Sequence, residues 1–241
     1  MIQFLDVSKK FNNKTVISNV SFHIPKGRIT ALIGANGSGK TTTMRMISTV
    51  FLPDSGKILV NNWDTQQNVR EVRKQIGLML GGDAALFQRF TARENISYFG
   101  ALQGLSRAES AKRTEELCHL LKMDAYIDQK VDHFSRGMRQ KVLLAETLIH
   151  DPSLLLLDEP STGLDIFSAL EVQNIILKCR EMKKSVLISS HNMSEIERLC
   201  DYIIILHQGK ALYSGDSKEL LETSRKTNIT DAFVSLTQEV N

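Results

Sequence analysis

The sequence predicts an α/β fold with a mostly parallel sheet, an antiparallel β region at the N-terminus and an inserted helical lobe. Three observations predict this fold. A strand-like run at residues 29–33 leads through a glycine-rich loop into a helix, residues 83–134 carry no strand pattern, and short apolar strands alternate with helices after residue 135. Strands that alternate with helices form parallel sheets with helices on both faces.

Composition limits the classes of protein that fit. The 241 residues suit one globular α/β body, and 42% hydrophobic with 24% charged residues argue against disorder. The net charge of +3 is too small and too dispersed to indicate nucleic acid, so no nucleic-acid partner is expected. Asp6 interrupts the first apolar stretch, which argues against a signal peptide. The longest apolar runs, 154–157 and 202–206, are far shorter than the ~20 residues of a membrane span.

The three cysteines are expected to have structural roles, and five of the six histidines have no expected functional role. Cys118, Cys179 and Cys200 are odd in number, widely spaced and set in helical patterns. They are therefore expected to be buried thiols in a reducing compartment, and their spacing is not that of a zinc site. The histidines without an expected functional role are His23, His119, His133, His150 and His207.

The N-terminal region is predicted to be β. Residues 2–7 alternate apolar and polar side chains, and residues 16–24 do so again before a turn at residues 25–27. Phe11 is expected in the loop between these strands, either as a partly buried aromatic or as a ring that stacks on an adenine. Further elements before residue 81 are a strand at 57–60, a helix at 70–75 and a strand at 76–80.

Residues 34–41 read GANGSGKT, and this loop lies between the strand at 29–33 and a helix predicted at 42–50. A backbone that wraps a triphosphate needs positive φ angles and no Cβ in the way, which glycine provides. Lys40 is then expected to reach the β- and γ-phosphates, and the Thr41 hydroxyl to bind Mg²⁺. The expected nucleotide-binding residues are Gly34, Ala35, Asn36, Gly37, Ser38, Gly39, Lys40, Thr41 and Thr42.

The middle of the chain is predicted to be helical. Thr91 with Glu94 and Ser106 with Glu109 are two capping boxes, and each precedes helical periodicity. Residues 83–134 are therefore interpreted as a helical lobe inserted into a nucleotide-binding core.

Another helix is predicted to begin directly after this lobe. Residues 135–140 open a helix that runs to about residue 149, where Asp151 and Pro152 end it. Because Ser135 and Gly137 lie at its N-terminus, an anion could dock there. Most such starts, however, are only helix caps.

Two carboxylates follow the fully apolar run at 154–157, which predicts a strand inside a parallel sheet. Asp158 and Glu159 fall at the carboxyl end of this strand, the edge where ligands bind in open α/β sheets. Asp158 is expected to hold Mg²⁺, and Glu159 to activate water as a general base. The alternative is that both acids only end the strand and pair with lysines.

His191 directly follows a strand predicted at 186–190 and so lies on the same carboxyl edge as the two acids. This position favours a contact with the γ-phosphate or the attacking water. The remaining predicted elements are a turn at 161–165, a helix at 166–183, a helix at 193–200, strands at 202–206 and 210–213, and a helical tail from residue 216.

Five motifs in this order resemble the nucleotide-binding subunit of an ATP-binding cassette (ABC) transporter. They read GANGSGKT at 34–41, FSRGMRQ at 134–140, LLLLDEP at 154–160, STGLD at 161–165 and SSH at 189–191. The resemblance covers almost the whole chain. It implies one cassette domain over residues 1–241, with a core at 1–82 and 135–215, a helical lobe at 83–134 and a tail at 216–241.

The resemblance also implies partners. Two cassettes face each other head to tail as a homodimer, with two ATP molecules between them. Ser135 and Gly137 then approach the γ-phosphate bound to the other copy, and residues 161–165 couple the two sites. It further identifies Phe11 as the adenine platform.

Two departures from the family pattern stand out. The signature is usually Leu-Ser-Gly-Gly-Gln, whereas residues 134–138 read FSRGM and keep the serine and the second glycine. Cassettes also commonly carry a glutamine after the strand that here ends at Leu80, where this chain has Gly81-Gly82-Asp83. Gln88 lies too far along the chain to take that place, so no residue is assigned to it.

The variants FSRGMRQ and FTAREN, the latter at residues 90–95, resemble single-cassette subunits of bacterial two-component exporters of the sodium-extrusion and drug-efflux type. The resemblance implies an ATPase that powers export through a separate membrane permease, at the cytoplasmic face of the cell membrane. ATP and Mg²⁺ are its expected cofactors. The catalytic residues are expected to be Glu159, His191 and Lys40, and the metal ligands Thr41 and Asp158.

Two other functions remain open. The chain could serve an importer, although the signature argues against that by resemblance. It could also be a soluble cassette protein that acts on ribosomes or DNA. Such proteins usually join two cassettes or carry long coiled coils, and this chain has one cassette and no sustained heptads.

Overall fold

The computed structural model describes residues 1–12, 14–80 and 86–238. Its strands are β1 (Ile2–Phe11), β2 (Lys14–Ile24), β3 (Ile29–Ile33), β4 (Ser55–Val60), β5 (Trp63–Asp64), β6 (Ile76–Met79), β7 (Leu154–Asp158), β8 (Ser185–Ser189), β9 (Tyr202–His207) and β10 (Lys210–Asp216). Its α-helices are α1 (Lys40–Ile47), α2 (Val69–Lys74), α3 (Ala92–Leu102), α4 (Arg107–Leu121), α5 (Arg136–Leu148), α6 (Ile166–Glu181), α7 (Met193–Leu199), α8 (Ser217–Ser224) and α9 (Ile229–Gln238). The segment Gly81-Gly82-Asp83 lies outside the described residues.

A six-stranded sheet carries the candidate site, with strand order β10-β9-β3-β8-β7-β6. The strands from β9 to β6 pair in parallel, and β10 runs antiparallel to β9. The predicted α/β fold with a mostly parallel sheet is therefore confirmed.

The apolar run of β7 is explained by its position between β8 and β6. Every residue of β7 is buried. Leu154 and Leu156 pack into the core on one face of the sheet, and Leu155 and Leu157 into the core on the other. Because successive side chains of a strand point to opposite faces, a strand covered on both faces needs an unbroken apolar sequence.

The antiparallel N-terminal region is also confirmed. It forms a four-stranded sheet in the order β2-β1-β4-β5. Ile2 and Phe4 of β1 share a buried cluster with Leu32 of β3 and Leu156 of β7. The two sheets therefore pack on one core.

The prediction that Phe11 lies in a loop is wrong. Phe11 is the last residue of β1 and pairs with Lys14 of β2. Register shifts interrupt the pairing of these strands after Phe4, Val7 and Lys9. These irregularities break the alternation of apolar and polar residues from which strand ends are predicted.

The helices between the described residues 86 and 134 begin as predicted. In α3, the Thr91 hydroxyl accepts the Glu94 N–H, and the Glu94 carboxylate accepts the Thr91 N–H. Ser106 and Glu109 do the same at the start of α4. Both capping boxes are confirmed.

Two expectations from the sequence concern the cysteines and membrane-spanning segments. The three cysteines are free and buried, as predicted. Across the ranges that the structure describes, no helix combines the length and the apolar character that a membrane span requires.

The sheet brings three chain segments to one edge. Leu32 of β3 pairs with Ser189 of β8, and Ser189 pairs with Asp158 of β7. These strands are parallel, so their carboxyl ends lie side by side. The loop after β3, the acids at the end of β7 and His191 after β8 therefore meet at this edge, where α/β sheets bind ligands.

Glu146 of α5 is buried at the wall of a groove beside this helix. Its Oε1 atom has no hydrogen-bond partner among the described residues. Phe99 and Leu102 of α3 and Leu78 of β6 also line this groove, which measures about 580 Å³. Burial among these groups raises the pKa of Glu146 to about 8.

We expect this carboxyl to make stability depend on pH. Below about pH 4.5 it is protonated in the folded and the unfolded chain. Between that value and about pH 8 the folded chain keeps a proton that the unfolded chain loses. The free energy of unfolding therefore falls as pH rises, by about 1 kcal/mol per unit.

Glu146→Gln is expected to remove this slope, whatever the absolute stability of the variant. Urea unfolding at several pH values between 5 and 9 measures it. Glu222→Gln, at an exposed site on α8, is the control and should keep the slope. Equal slopes in wild type and Glu146→Gln would contradict the assignment of the titration to Glu146.

Candidate active site

The loop between β3 and α1 has the backbone shape that the glycines predict. Gly37 and Gly39 have φ angles of 78° and 108°, a region that side chains with a Cβ rarely adopt. A Cβ on Gly34 would overlap with the Leu206 carbonyl oxygen and the Ser38 hydroxyl. The glycines thus allow the loop to bend tightly in front of α1, with the positive end of the helix behind it.

Lys40 is the first residue of α1 and folds back over this loop. Its Nζ donates to the carbonyl oxygens of Gly34 at 2.7 Å and Ala35 at 3.2 Å. Burial lowers the pKa of the Lys40 ammonium, and the carboxylates of Glu159 and Asp158 oppose that shift. A cation is thereby held at the mouth of the loop, where a phosphate chain can contact it.

Thr41 and Asp158 form a pair of oxygen ligands beside Lys40. The Thr41 hydroxyl donates to Oδ2 of Asp158 at 3.0 Å. The Ser189 hydroxyl donates to the other carboxylate oxygen, Oδ1, and so fixes the orientation of the Asp158 side chain. Hydroxyl and carboxylate oxygens are the ligands that Mg²⁺ prefers, and it usually takes only one or two from protein beside phosphate oxygens. This donor set fits the metal that the sequence predicts.

Glu159 is held in an uncommon backbone conformation. Its φ is 54°, in the left-handed region, and its N–H donates to the Ser189 carbonyl at 3.0 Å. Its Oε2 atom accepts from the Thr162 hydroxyl at 2.7 Å and lies 2.8 Å from Nδ1 of His191. Such local strain persists only where the surroundings enforce it, and it occurs often at active sites. Here it holds Glu159 on the wall of a cavity that Lys40 and Thr41 also line.

A cavity of about 890 Å³ joins these groups. Its wall includes residues of the loop, the two acids at the end of β7, and side chains from the start of α5. Positive side chains exceed negative ones on this wall, which suits a polyphosphate. The charged residues of the wall are Lys14, Lys40, Arg45, Arg136, Arg139, Asp158 and Glu159.

The structure brings together most of the predicted site residues. The loop, Lys40, Thr41, Asp158, Glu159 and His191 are linked by the contacts above. The residues of the prediction that also line the cavity are Asn36, Gly37, Gly39, Lys40, Thr41, Thr42, Asp158 and Glu159.

Three predicted residues are not brought to the loop. In the described part of the chain, Ser135, Gly137 and Phe11 are not on the cavity wall. Ser135 caps α5 by accepting the Met138 N–H, and Gly137 packs against Ser168. The Phe11 ring instead lies 5.1 Å from the Phe51 ring.

The sequence prediction does not include three residues that lie near the site. Thr162 lies in the motif at 161–165, but its bond to Glu159 depends on the turn that follows β7. Arg136 lies in the motif at 134–140, in which the prediction assigns roles only to Ser135 and Gly137. Gln88 lines the cavity despite its distance along the chain from Leu80.

Comparison with known proteins assigns this site to a family. A family model described as "ABC transporter" matches residues 17–162. ABC transporter ATP-binding protein NatA of Bacillus subtilis strain 168 is 41% identical, over 98% of this chain and 97% of the relative. The chain belongs to the ABC transporter family.

Other ABC proteins agree with this assignment. The linearmycin resistance ATP-binding protein LnrL of Bacillus subtilis is 33% identical over 91% of this chain and 70% of its own. Nod factor export ATP-binding protein I of Rhizobium sp. strain N33 is 34% identical over 99% and 78%. A solved structure of an ATP-binding subunit of an ABC transporter superimposes with a TM-score of 0.88, at 27% identity, over 98% of this chain and 99% of that one.

A bacterial ABC transporter cassette solved as a dimer superimposes with a TM-score of 0.79, at 25% identity, over 90% of this chain and 98% of that one. ABC cassettes bind and hydrolyse ATP. The family of this chain therefore makes it an ATPase.

Proposed function

We propose that this chain is the ATP-hydrolysing subunit of an exporter and works on a separate integral-membrane permease. One observation carries the catalytic part: Glu159, held by Thr162 and His191, shares a cavity with Lys40 and the Thr41–Asp158 pair. Export is supported by relatives whose names include Nod factor export and linearmycin resistance. The permease would hold the chain at the cytoplasmic face of the membrane.

Each site residue has a proposed role in binding. The main-chain amides of residues 34–41 bind the phosphates of ATP, together with the ammonium of Lys40. The residues that would hold Mg²⁺ are Thr41 and Asp158, whose oxygens lie 3.0 Å apart. When bound, the metal neutralises charge on the β- and γ-phosphate oxygens.

Hydrolysis proceeds by in-line attack of water on the γ-phosphorus. The Glu159 carboxylate takes a proton from the attacking water, and His191 orients that carboxylate and contacts the γ-phosphate. Lys40 stabilises the negative charge that is spread over the phosphoryl oxygens. This chemistry depends mostly on position and charge, which agrees with the several contacts that fix Asp158 and Glu159.

We propose that two copies pair head to tail around two ATP molecules. Ser135 and Gly137 of one copy then contact the γ-phosphate bound to the other. This would account for the finding that, in the described part of the chain, Ser135 and Gly137 do not line the cavity of their own copy. Phe11, still 36% exposed at the end of β1, would stack on the adenine, with Phe51 bracing its ring.

Copurification tests whether the chain binds a membrane permease. A tagged copy of the chain, recovered from detergent-solubilised membranes, is expected to bring down a protein with several membrane spans. Mass spectrometry of the eluate identifies it, and a sample without the tagged chain is the control. Recovery with ribosomes or DNA and without such a protein would overturn the transport proposal and support a soluble cassette. Recovery of a membrane protein of importer type would overturn only the proposed direction of transport.

A further inference from the structure

Glu195 of α7 is a buried acid that has no part in the mechanism proposed so far. Only 2% of its surface is exposed, and among the described residues its carboxylate forms no ion pair and accepts from two hydroxyl groups. Burial of a carboxylate without a cation costs free energy, which hydrogen bonds offset only in part. Stability alone therefore does not account for an acid at this position.

The side chain of Glu195 does not cap its own helix. In α3 and α4, the glutamate at the third helical position accepts the N–H of the capping residue. Glu195 has the same position in α7, which Asn192 caps. The Asn192 N–H, however, donates to the Ser190 hydroxyl at 3.1 Å. The Glu195 carboxylate is thus available for contacts outside its helix.

The two oxygens of this carboxylate hold two separate segments of the active site. The Ser161 hydroxyl donates to Oε1 of Glu195 at 2.5 Å, and the Ser190 hydroxyl donates to Oε2 at 2.6 Å. Ser161 begins the turn at 161–165, which follows β7, and Ser190 directly follows β8. Glu195 therefore joins that turn to the end of β8.

The residue after each serine contacts the proposed general base. Thr162 follows Ser161, and its hydroxyl donates to Oε2 of Glu159 at 2.7 Å. His191 follows Ser190, and its Nδ1 atom lies 2.8 Å from the same oxygen. Because neighbouring residues share a backbone, the α7 carboxylate that fixes the two serines also fixes the two side chains that hold the base.

We propose that Glu195 is a positioning residue for ATP hydrolysis, which fixes the orientation of the Glu159 carboxylate through the two serines and the residues that follow them. Glu195 is not among the described residues that line the nucleotide cavity. It therefore acts through other side chains and not on the reactants. This inference rests on the proposed role of Glu159 as the base.

Glu195→Ala should lower turnover without weakening ATP binding. Displacement of a catalytic group by about 1 Å can cost about 100-fold in rate. We expect kcat to fall about 10–100-fold and KM to stay within about twofold of wild type, because the loop at 34–41 is unaltered. The assay is steady-state ATP hydrolysis by the complex recovered from membranes. Expressing kcat per mole of protein that binds ATP keeps unfolded protein out of the comparison.

Glu195→Gln should restore part of the activity, because it keeps the size of the side chain and one acceptor oxygen. The hydrogen bond to an amide oxygen is weaker than one to a carboxylate. We expect kcat to lie above that of Glu195→Ala and at least about threefold below wild type. If Glu195→Ala does not fold, this variant alone decides the test.

Glu197→Gln and Glu197→Ala are the matched controls. Glu197 is an exposed glutamate on the same helix, and its carboxylate accepts the Ile229 N–H at the start of α9. Both variants should hydrolyse ATP like wild type. If the Glu195 variants also keep the wild-type kcat while Glu159→Gln is inactive, the role of Glu195 is wrong and the proposed function stands. If Glu159→Gln is active as well, the proposed site itself is wrong.

A combined variant tests whether Glu195 acts through the two partners of Glu159. In a chain that carries Thr162→Val and His191→Ala, neither of these side chains is left to be positioned. Addition of Glu195→Ala should then lower kcat by no more than about twofold further, the usual error of additivity. Single-turnover hydrolysis of radiolabelled ATP measures these slow rates. A further loss as large as that in wild type would show that Glu195 acts by another route and would overturn the proposal.

Discussion

Glu159→Gln is expected to lower kcat for ATP hydrolysis by about 10²–10⁴-fold, the contribution of a positioned general base. Glutamine keeps the size of the side chain and can still accept from the Thr162 hydroxyl, which lies 2.7 Å from Oε2. It cannot take a proton from the attacking water. Because no hydrogen bond or ion pair joins Glu159 to the loop at 34–41 among the described residues, the affinity for ATP should be retained.

Two measurements on purified protein check this expectation. Phosphate release gives kcat, and titration with a fluorescent ATP analogue gives the dissociation constant. Glu222→Gln, at an exposed site on α8, is the control for a lost carboxylate elsewhere and should behave like wild type. Phosphate release by Glu159→Gln at the wild-type rate would mean that another group is the base.

The fold was predictable because its strongest patterns have physical causes. The run at 154–157 is apolar throughout because β7 is covered on both faces. The glycines of the loop at 34–41 are needed for its positive φ angles and close packing. Both capping boxes predicted the helix starts, because their hydrogen bonds are local in sequence.

The features that the sequence did not predict have a different physical cause. β5 has two residues, too few for any periodicity. Phe11 extends β1 through an irregular stretch of pairing that no alternation marks. The contact of Thr162 with Glu159 and that of Arg136 with Gly163 arise from a turn whose shape the sequence does not specify.

The same distinction applies to the acidic side chains. That Asp158 and Glu159 would reach the loop was predictable from the parallel order of strands, since the carboxyl ends of β3, β7 and β8 share one edge. The burial of Glu146 was not predictable, because it depends on how α3 and β6 enclose the groove beside α5. Side chains placed by topology can be inferred from sequence, whereas those placed by packing between distant elements need the structure.

Lys40→Ala is expected to abolish ATP binding at concentrations that saturate wild type. The Lys40 ammonium already meets two loop carbonyls and is partly desolvated, so little reorganisation is needed to contact phosphate. A hydrogen bond to a charged group contributes about 1.5–3 kcal/mol, and loss of two raises the dissociation constant at least about 100-fold.

The same titration measures this variant, with Lys112→Ala on the exposed face of α4 as its control. Thermal unfolding without nucleotide should be similar in all three proteins, because the Lys40 side chain contacts the loop and not the core. Unchanged ATP affinity in Lys40→Ala would contradict the phosphate-binding role of the loop. Together with Glu159→Gln, this variant separates the two halves of the mechanism, because one change removes binding and the other removes only turnover.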